Sequence, residues 1–270
     1  LAAVNDIART QAGRTARQLS DHPWLERLAR IGFLASGLLH LVIGWVAARI
    51  ALGGEGEADQ GGALQEVRDA PFGGVLLWGA VLGFLALALF QLLDGLVRRG
   101  ELTDRVKALS RSVLYAVLGG TALMVARGGS TDGEETTTDV TATLLQAPMG
   151  RFLVGGMGLA VVGVAIYHAY KGGSKKFLET LTTTGSGAVG TGVVAAGMVG
   201  YLAKGVALLI VGLFFLVAAW TADPEEARGL DQALQTLAQQ PFGTVLLLAV
   251  ALGLVLYGVY SFARARYERL

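Results

Sequence analysis

The stretch ALQEVRDAPFGGVLLWGAVLGFLALALFQLLDGLV, from Ala63 to Val97, decides the fold class. From Phe72 onward it is apolar for longer than the ~20 helical residues that cross ~30 Å of hydrocarbon. It is rich in Leu, Ala and Gly and lacks the alternation of a barrel strand, so the reading is helical. Its first part is a short amphipathic segment that ends at Pro71. The same arrangement returns in ALQTLAQQPFGTVLLLAVALGLVLYGVYSFAR, from Ala233 to Arg264, about 170 residues further on without a gap. Between them, Leu144-Leu145-Gln146-Ala147 followed by Pro148-Met149-Gly150 is a weaker third copy. Each copy predicts one or two turns of helix lying on the outer surface, with the proline at or near the start of the next helix.

Working outward, six apolar stretches are long enough to span: Ile31 to Leu52, Phe72 to Val97, Leu109 to Ala126, Phe152 to Tyr170, Val199 to Trp220 and Phe242 to Ala263. Composition agrees, since 53% of residues are hydrophobic and 16% charged, whereas soluble domains carry about 25% charged residues. A net charge of +1 leaves no global field to attract nucleic acid. The lack of cysteine excludes disulfides, thiolate nucleophiles and iron-sulfur clusters.

Charge is segregated by loop. Arg9, Arg14, Arg17, Arg27 and Arg30, then Arg98, Arg99, Arg105 and Lys107, then Lys171, Lys175 and Lys176, then Arg264, Arg266 and Arg269 mark one side. Glu55, Glu57, Asp59, Glu66 and Asp69, then Asp132, Glu134, Glu135 and Asp139, then Asp223, Glu225, Glu226 and Asp231 mark the other. Because Lys and Arg near span ends stay in the cytoplasm, both termini are expected there. Trp45, Trp220, Phe90, Tyr167, Tyr257 and Tyr260 fall toward span ends, as interfacial aromatics do. Before the first span, Pro23, Trp24, Leu25, Leu28 and Ile31 form an apolar stripe suited to an interfacial helix.

The odd spans repeat too. Gly32-Phe33-Leu34-Ala35-Ser36-Gly37 with Gly44 matches Gly200-Tyr201-Leu202-Ala203-Lys204-Gly205 with Gly212, and the central copy has Ser112 and Gly119 at the two later positions. Small residues let helices approach where lipid supplies no hydrophobic drive, so Gly37, Gly44, Gly205 and Gly212, together with the pair Gly79 and Gly83, are expected at helix contacts. Each repeat holds two spans, so all three copies point the same way. This predicts an all-α polytopic fold of three parallel two-helix repeats, pseudo-threefold about the membrane normal. The divisions are an N-terminal segment 1–30, repeats at 31–100, 101–173 and 193–270, and a flexible Gly/Thr-rich cytoplasmic linker at 174–192.

The repeated Pro-Phe-Gly turn, the Gly-Tyr-Leu-Ala-Lys-Gly stretch at 200–205 and the three two-helix units resemble the bacterial membrane family called domain of unknown function 1206, common in actinobacteria. The resemblance covers roughly residues 24–265. It implies this fold and no particular activity, catalytic residue or cofactor.

Site chemistry is sparse. Gly185-Ser186-Gly187-Ala188-Val189-Gly190 spells a dinucleotide fingerprint, but it follows Thr182-Thr183-Thr184 and lacks the preceding strand that motif requires. His40 lies ~15 Å from the basic edge and His168 close to it, counting 1.5 Å per helical residue, a mismatch that argues against one haem between them. Ser, His and carboxylate do not converge, so no catalytic residue, metal or cofactor is expected and the chain is read as no enzyme. The informative set is basic. Repeat alignment makes Ser36, Arg111 and Lys204 equivalent, likewise Asp94, Lys171 and Arg264, with Gln91, His168 and Ser261 one turn deeper. Intramembrane cations need partners. Either they snorkel or pair with Asp94, or Arg111, Lys204, Lys171 and His168 hold an anionic phospholipid headgroup between helices. The leading reading is a lipid-binding, scaffold or accessory protein of a membrane complex, and the alternative is a transporter or channel.

Overall fold

The computed structural model describes residues 23–97, 102–130 and 132–269, without the side chains of residues 23–26 and 97. Arg9, Arg14, Arg17, Arg98 and Arg99, used above for orientation, lie outside the described residues, as do the side chains of Pro23, Trp24 and Leu25. Among the described residues, six helices are long and apolar enough to cross a membrane. They are α1 (Pro23–Ala51), α3 (Gly73–Val97), α4 (Leu102–Ala126), α6 (Gly150–Gly173), α7 (Gly187–Thr221) and α9 (Gly243–Tyr267). Three shorter helices precede the even spans at the acidic end: α2 (Gln60–Asp69), α5 (Gly133–Gln146) and α8 (Leu230–Ala238). They are longer than the one or two turns expected. Asp59 and Asp132 begin the first two, accepting amide hydrogens from Gly62 and from Glu134 and Glu135 and so satisfying donors that a helix start leaves free.

The turn into each even span is the same in all three copies, including the weak one. Phe72, Met149 and Phe242 take left-handed backbone with φ of 63°, 62° and 61°. The glycine after each is obligatory, because a Cβ on Gly73, Gly150 or Gly243 would lie 2.1, 2.2 or 1.9 Å from the carbonyl oxygen of Val67, Leu144 or Ala238. That near-contact folds the short helix back onto the start of the span.

The spans pack in the order α4, α3, α1, α9, α7, α6, a horseshoe whose two ends are the spans of the middle repeat. Pairs between successive repeats recur: α3 with α4, α6 with α7, and α9 with α1. Small residues make these contacts. A Cβ on Gly37 or Gly44 would strike Phe262 or Val255 of α9, and on Gly205 or Gly212 would crowd the Ala165 carbonyl or Val162 of α6. In the middle copy Gly119 faces Leu85 of α3, and Ser112 donates its hydroxyl to the Ala88 carbonyl at 2.8 Å.

Contacts within repeats depend on a different pair. Gly32 of α1 and Gly83 of α3 meet backbone to backbone, a Cβ on Gly83 lying 2.4 Å from the Gly32 nitrogen. At the equivalent places in the third repeat, Gly200 lies against Tyr257 and Gly253 against Ala203. The middle repeat has Lys107 and Ala160 there, both exposed. α4 and α6 accordingly share no comparable interface, which leaves a seam between them. Lys107 instead pairs with Asp104 at 3.5 Å.

Three expectations are corrected. A Cβ placed on Gly79 would meet nothing within 4 Å, because the contact on this helix face is made one turn later by Gly83 with Gly32. The 174–192 segment is no flexible linker. A 3-10 turn at Lys176–Thr180 buries Phe177 completely against Gly197, where a Cβ would lie 2.3 Å from the ring, and α7 is already helical from Gly187. Leu181 pairs antiparallel with Glu268, tying this segment to the C-terminal end of α9. Tyr257 and Tyr260 are buried at 5% and 0% exposure instead of sitting at an interface, since their rings fill the space beside Phe177 and Tyr201. Trp45 and Trp220, at 64% and 84%, do face outward.

The glycine geometry predicts a paired outcome. Gly83→Ala forces α1 and α3 apart and costs about 1–3 kcal/mol by overpacking, while Gly79→Ala is neutral or slightly stabilising through helix propensity. Thermal unfolding of the two variants in detergent separates them, and equal transitions would refute the contact.

Candidate functional site

Toward the basic end, the interior of the horseshoe gathers cations on aromatic faces. Lys204 of α7 lies 4.5 Å from the ring centroid of Tyr257, Lys171 of α6 lies 4.8 Å from that of Tyr201, and the Arg264 guanidinium lies 4.3 Å from that of Phe33. The rings support one another. Tyr201 packs edge-on to Tyr257 at 5.2 Å and stacks with Phe177 at 5.5 Å, and His168 leans on Tyr201 at 5.5 Å. An aromatic face attracts a cation without introducing a second ionised group, so it holds positive charge where a carboxylate would itself have to be desolvated. Among the described residues, Arg264 is the one of these three cations with a carboxylate partner, and its fork binds Glu268 through Nε and Nη2 at 2.8 and 2.9 Å. Arg30 donates to the carbonyls of Ala265 and Arg266 at 2.7 and 3.1 Å, capping the last turn of α9 and fixing the start of α1 against it.

The four cationic candidates divide. Arg111 is exposed on α4, and Lys171 and His168 lie on α6, so these residues stand on opposite flanks of the seam. Lys204 is turned inward. Its ammonium donates to His40 Nε2 at 3.2 Å, while His40 Nδ1 donates to the Ser36 carbonyl at 2.7 Å. A carbonyl can only accept, so His40 carries its hydrogen on Nδ1 and presents a lone pair to the lysine. His168 likewise donates from Nδ1 to its own helix, at the Val164 carbonyl, 2.8 Å away. The two histidines lean on different tyrosines, His40 on Tyr257 at 4.6 Å and His168 on Tyr201.

Sequence reasoning missed the seam and the tyrosines. The seam had a signal, namely Lys107 and Ala160 standing where the other repeats have Gly32 with Gly83 and Gly200 with Gly253. Tyr257 and Tyr201 had none, because a tyrosine near a span end reads the same whether it faces lipid or the interior.

Toward the acidic end lies a cavity of about 230 Å³. His40 and Lys204 form its floor, Ile43, Ala207, Val211 and Phe215 are among its walls, and Gln60, Thr137 and Gly229 mark its rim at the starts of α2, α5 and α8. Carboxylates surround the rim. Asp231 Oδ1 accepts the Ala58 amide at 2.7 Å, joining α8 to the start of α2, and Gln232 reaches Glu134 of α5 at 2.7 Å. Burial first, and then the charge of Asp132, raises the Asp59 carboxyl above its ordinary value against the pull of the Gly62 and Gly61 amides. Glu57 is raised by burial and by Asp59, Asp132 and Asp231. Asp231 is raised by burial and by Asp59 and Glu134.

An all-helical bundle of six apolar spans in three two-helix repeats defines a multi-pass membrane protein. The profile of the Domain of Unknown Function (DUF1206) family matches three times, at residues 31–98, 106–175 and 199–268, and the chain belongs to that family. It is 30% identical over 257 residues to the Uncharacterized protein YxxB of Bacillus subtilis (strain 168), an alignment covering 92% of this chain and 93% of that one. No solved structure matches at a significant level.

The acidic rim predicts a pH effect. A carboxyl raised by folding keeps its proton to higher pH in the native than in the unfolded state. Its stabilising contribution is therefore full below the unfolded value, and it is lost as pH rises to the folded one. Asp59→Asn keeps an oxygen to accept the Gly62 amide and removes the charge. Its thermal transition should lie at or above that of the parent at pH 7, with the difference shrinking as pH falls toward the ordinary carboxylate range.

Proposed function

We propose that this protein is a noncatalytic component of the bacterial cytoplasmic membrane, with both termini in the cytoplasm, that holds an anionic phospholipid in the seam between α4 and α6. It acts as a lipid-binding scaffold or accessory subunit of a membrane complex. The observation that carries this reading is that Arg111 lies on α4 and Lys171 on α6, the two end spans of the horseshoe, which share no close interface among the described residues. In this reading lipid tails lie along the seam, where α4 and α6 share no close interface among the described residues, and the phosphate meets the cations at its basic end. Arg grips a phosphate through two parallel donors and Lys acts as a point charge, with His168 alongside. Each basic group near an anionic surface contributes about 1 kcal/mol, so retention is selective and exchangeable.

A second reading, transport of a small molecule or ion, is favoured by the cavity that closes on His40 and Lys204 at mid-span. The two readings separate on the seam residues. Replacing Arg111 and Lys171 together with Gln should lower retention of anionic phospholipid in native mass spectra several-fold while leaving neutral lipid unchanged. Undiminished retention in a folded double variant would overturn the lipid reading. Orientation has its own check, since the native chain has no cysteine. A cysteine placed at Lys175 should label only from the cytoplasm, and labelling from outside would reverse the topology.

A further inference from the structure

The cavity above the His40–Lys204 pair has a chemistry separate from that of the seam. The Lys204 ammonium has three donors. One is used on His40 Nε2 and one side lies over the Tyr257 ring, while the group also lines the cavity floor. His40 is neutral in this arrangement, its Nδ1 hydrogen being committed to Ser36. The pair therefore leaves one positive charge at mid-span. Among the described residues no carboxylate lies within salt-bridge distance of Lys204. His40 and the Tyr257 ring attract that charge without cancelling it, and the cavity is the space from which an anion can reach it.

We infer that the cavity binds a small monocarboxylate with an apolar body, its carboxylate on Lys204 and its chain running toward α2 and α8. Three features select this class. The walls above the floor are aliphatic and aromatic, through Ile43, Val211 and Phe215, which suits hydrocarbon and excludes a fully hydrated ion. One uncompensated positive charge matches one negative charge. A phosphate dianion would surrender far more hydration than a single ammonium returns. The size also fits, because a dry cavity of about 150 Å³ holds benzene, so one of about 230 Å³ takes a ligand somewhat larger. The lining follows α7 from Lys204 to Phe215, about 16 Å of helix at 1.5 Å per residue. An extended chain of six carbons lies comfortably within that length. The carboxyls of Glu57, Asp59 and Asp231 near the rim disfavour an entering anion, so the acid enters most readily in its protonated, neutral form, and its proton leaves through the rim to bulk solvent as the carboxylate settles on the Lys204 ammonium.

Hexanoate is the probe, with hexan-1-ol, hexylammonium and chloride as comparators, each added to the full-length protein purified in detergent. Hexanoate at millimolar concentration should raise the unfolding temperature by a few degrees, hexan-1-ol by clearly less, and hexylammonium and chloride not at all. Lys204→Gln should erase the advantage of hexanoate over hexan-1-ol. Leu208→Trp, which fills the cavity and keeps the lysine, should abolish both effects and serves where Lys204→Gln does not fold. The Arg111→Gln, Lys171→Gln double variant should respond to hexanoate as the parent does. Equal shifts with hexanoate and hexan-1-ol, a shift reproduced by chloride, or a hexanoate response that survives Lys204→Gln would overturn the inference. Loss of the response in the seam variant alone would place the anion in the seam and overturn it as well.

Discussion

Everything in this bundle depends on how closely two helix backbones can approach in lipid. Hydrocarbon offers helices no drive to leave it for one another, so adhesion comes from dispersion at short range and from the few polar bonds that cross between spans. Gly32 and Gly83 bring α1 and α3 into backbone contact, Gly200 and Gly253 do the same for α7 and α9, and Lys107 with Ala160 denies it to α4 and α6. One substitution pattern thus turns what three similar repeats would close into a ring into an open horseshoe. The middle repeat is held by its neighbours instead, through Gly119 against Leu85, the Ser112 hydroxyl on the Ala88 carbonyl, and Gly158 against Leu216.

The open arrangement has an electrostatic consequence. Three cations, Lys171, Lys204 and Arg264, lie on aromatic faces toward the basic end, and among the described residues one of them, Arg264, has a carboxylate partner, while Arg111 is exposed on α4. The remainder of the stabilisation comes from tyrosine rings and from the neutral lone pair of His40. Such contacts attract positive charge without cancelling it. Positive charge left uncancelled in a medium that screens little is what the proposed lipid and carboxylate sites rely on.

The acidic end is built on the opposite plan. The starts of α2, α5 and α8 meet around the cavity rim, where Asp59, Asp132 and Asp231 satisfy helix-start or neighbouring amides and crowd their own charges together. Amide donors and helix dipoles favour the carboxylates, while burial and mutual repulsion oppose them. The result is a cap held together by hydrogen bonds between repeats, through Ala58 to Asp231 and Gln232 to Glu134, and not by apolar packing alone.

Class, spans, repeats and the segregation of charge were legible in the chain itself because each is a local property. An apolar run of membrane length must be a span, and Pro-Phe-Gly must turn wherever it stands, as the shared left-handed backbone of Phe72, Met149 and Phe242 shows even for the copy that diverges. The cationic residues were legible as well, since charge inside a span is conspicuous. Their grouping was not. Whether Lys204 faces a lipid phosphate or His40, and whether Tyr257 lies at an interface or under a lysine, depends on the rotation of each helix and on which neighbour it meets. Those are settled by non-local contacts of a few ångströms: Gly200 against Tyr257, Gly197 over Phe177, and the missing glycines at positions 107 and 160. Local hydrophobicity decides that a segment enters the membrane, whereas only close packing between distant segments decides what its polar side chains find there.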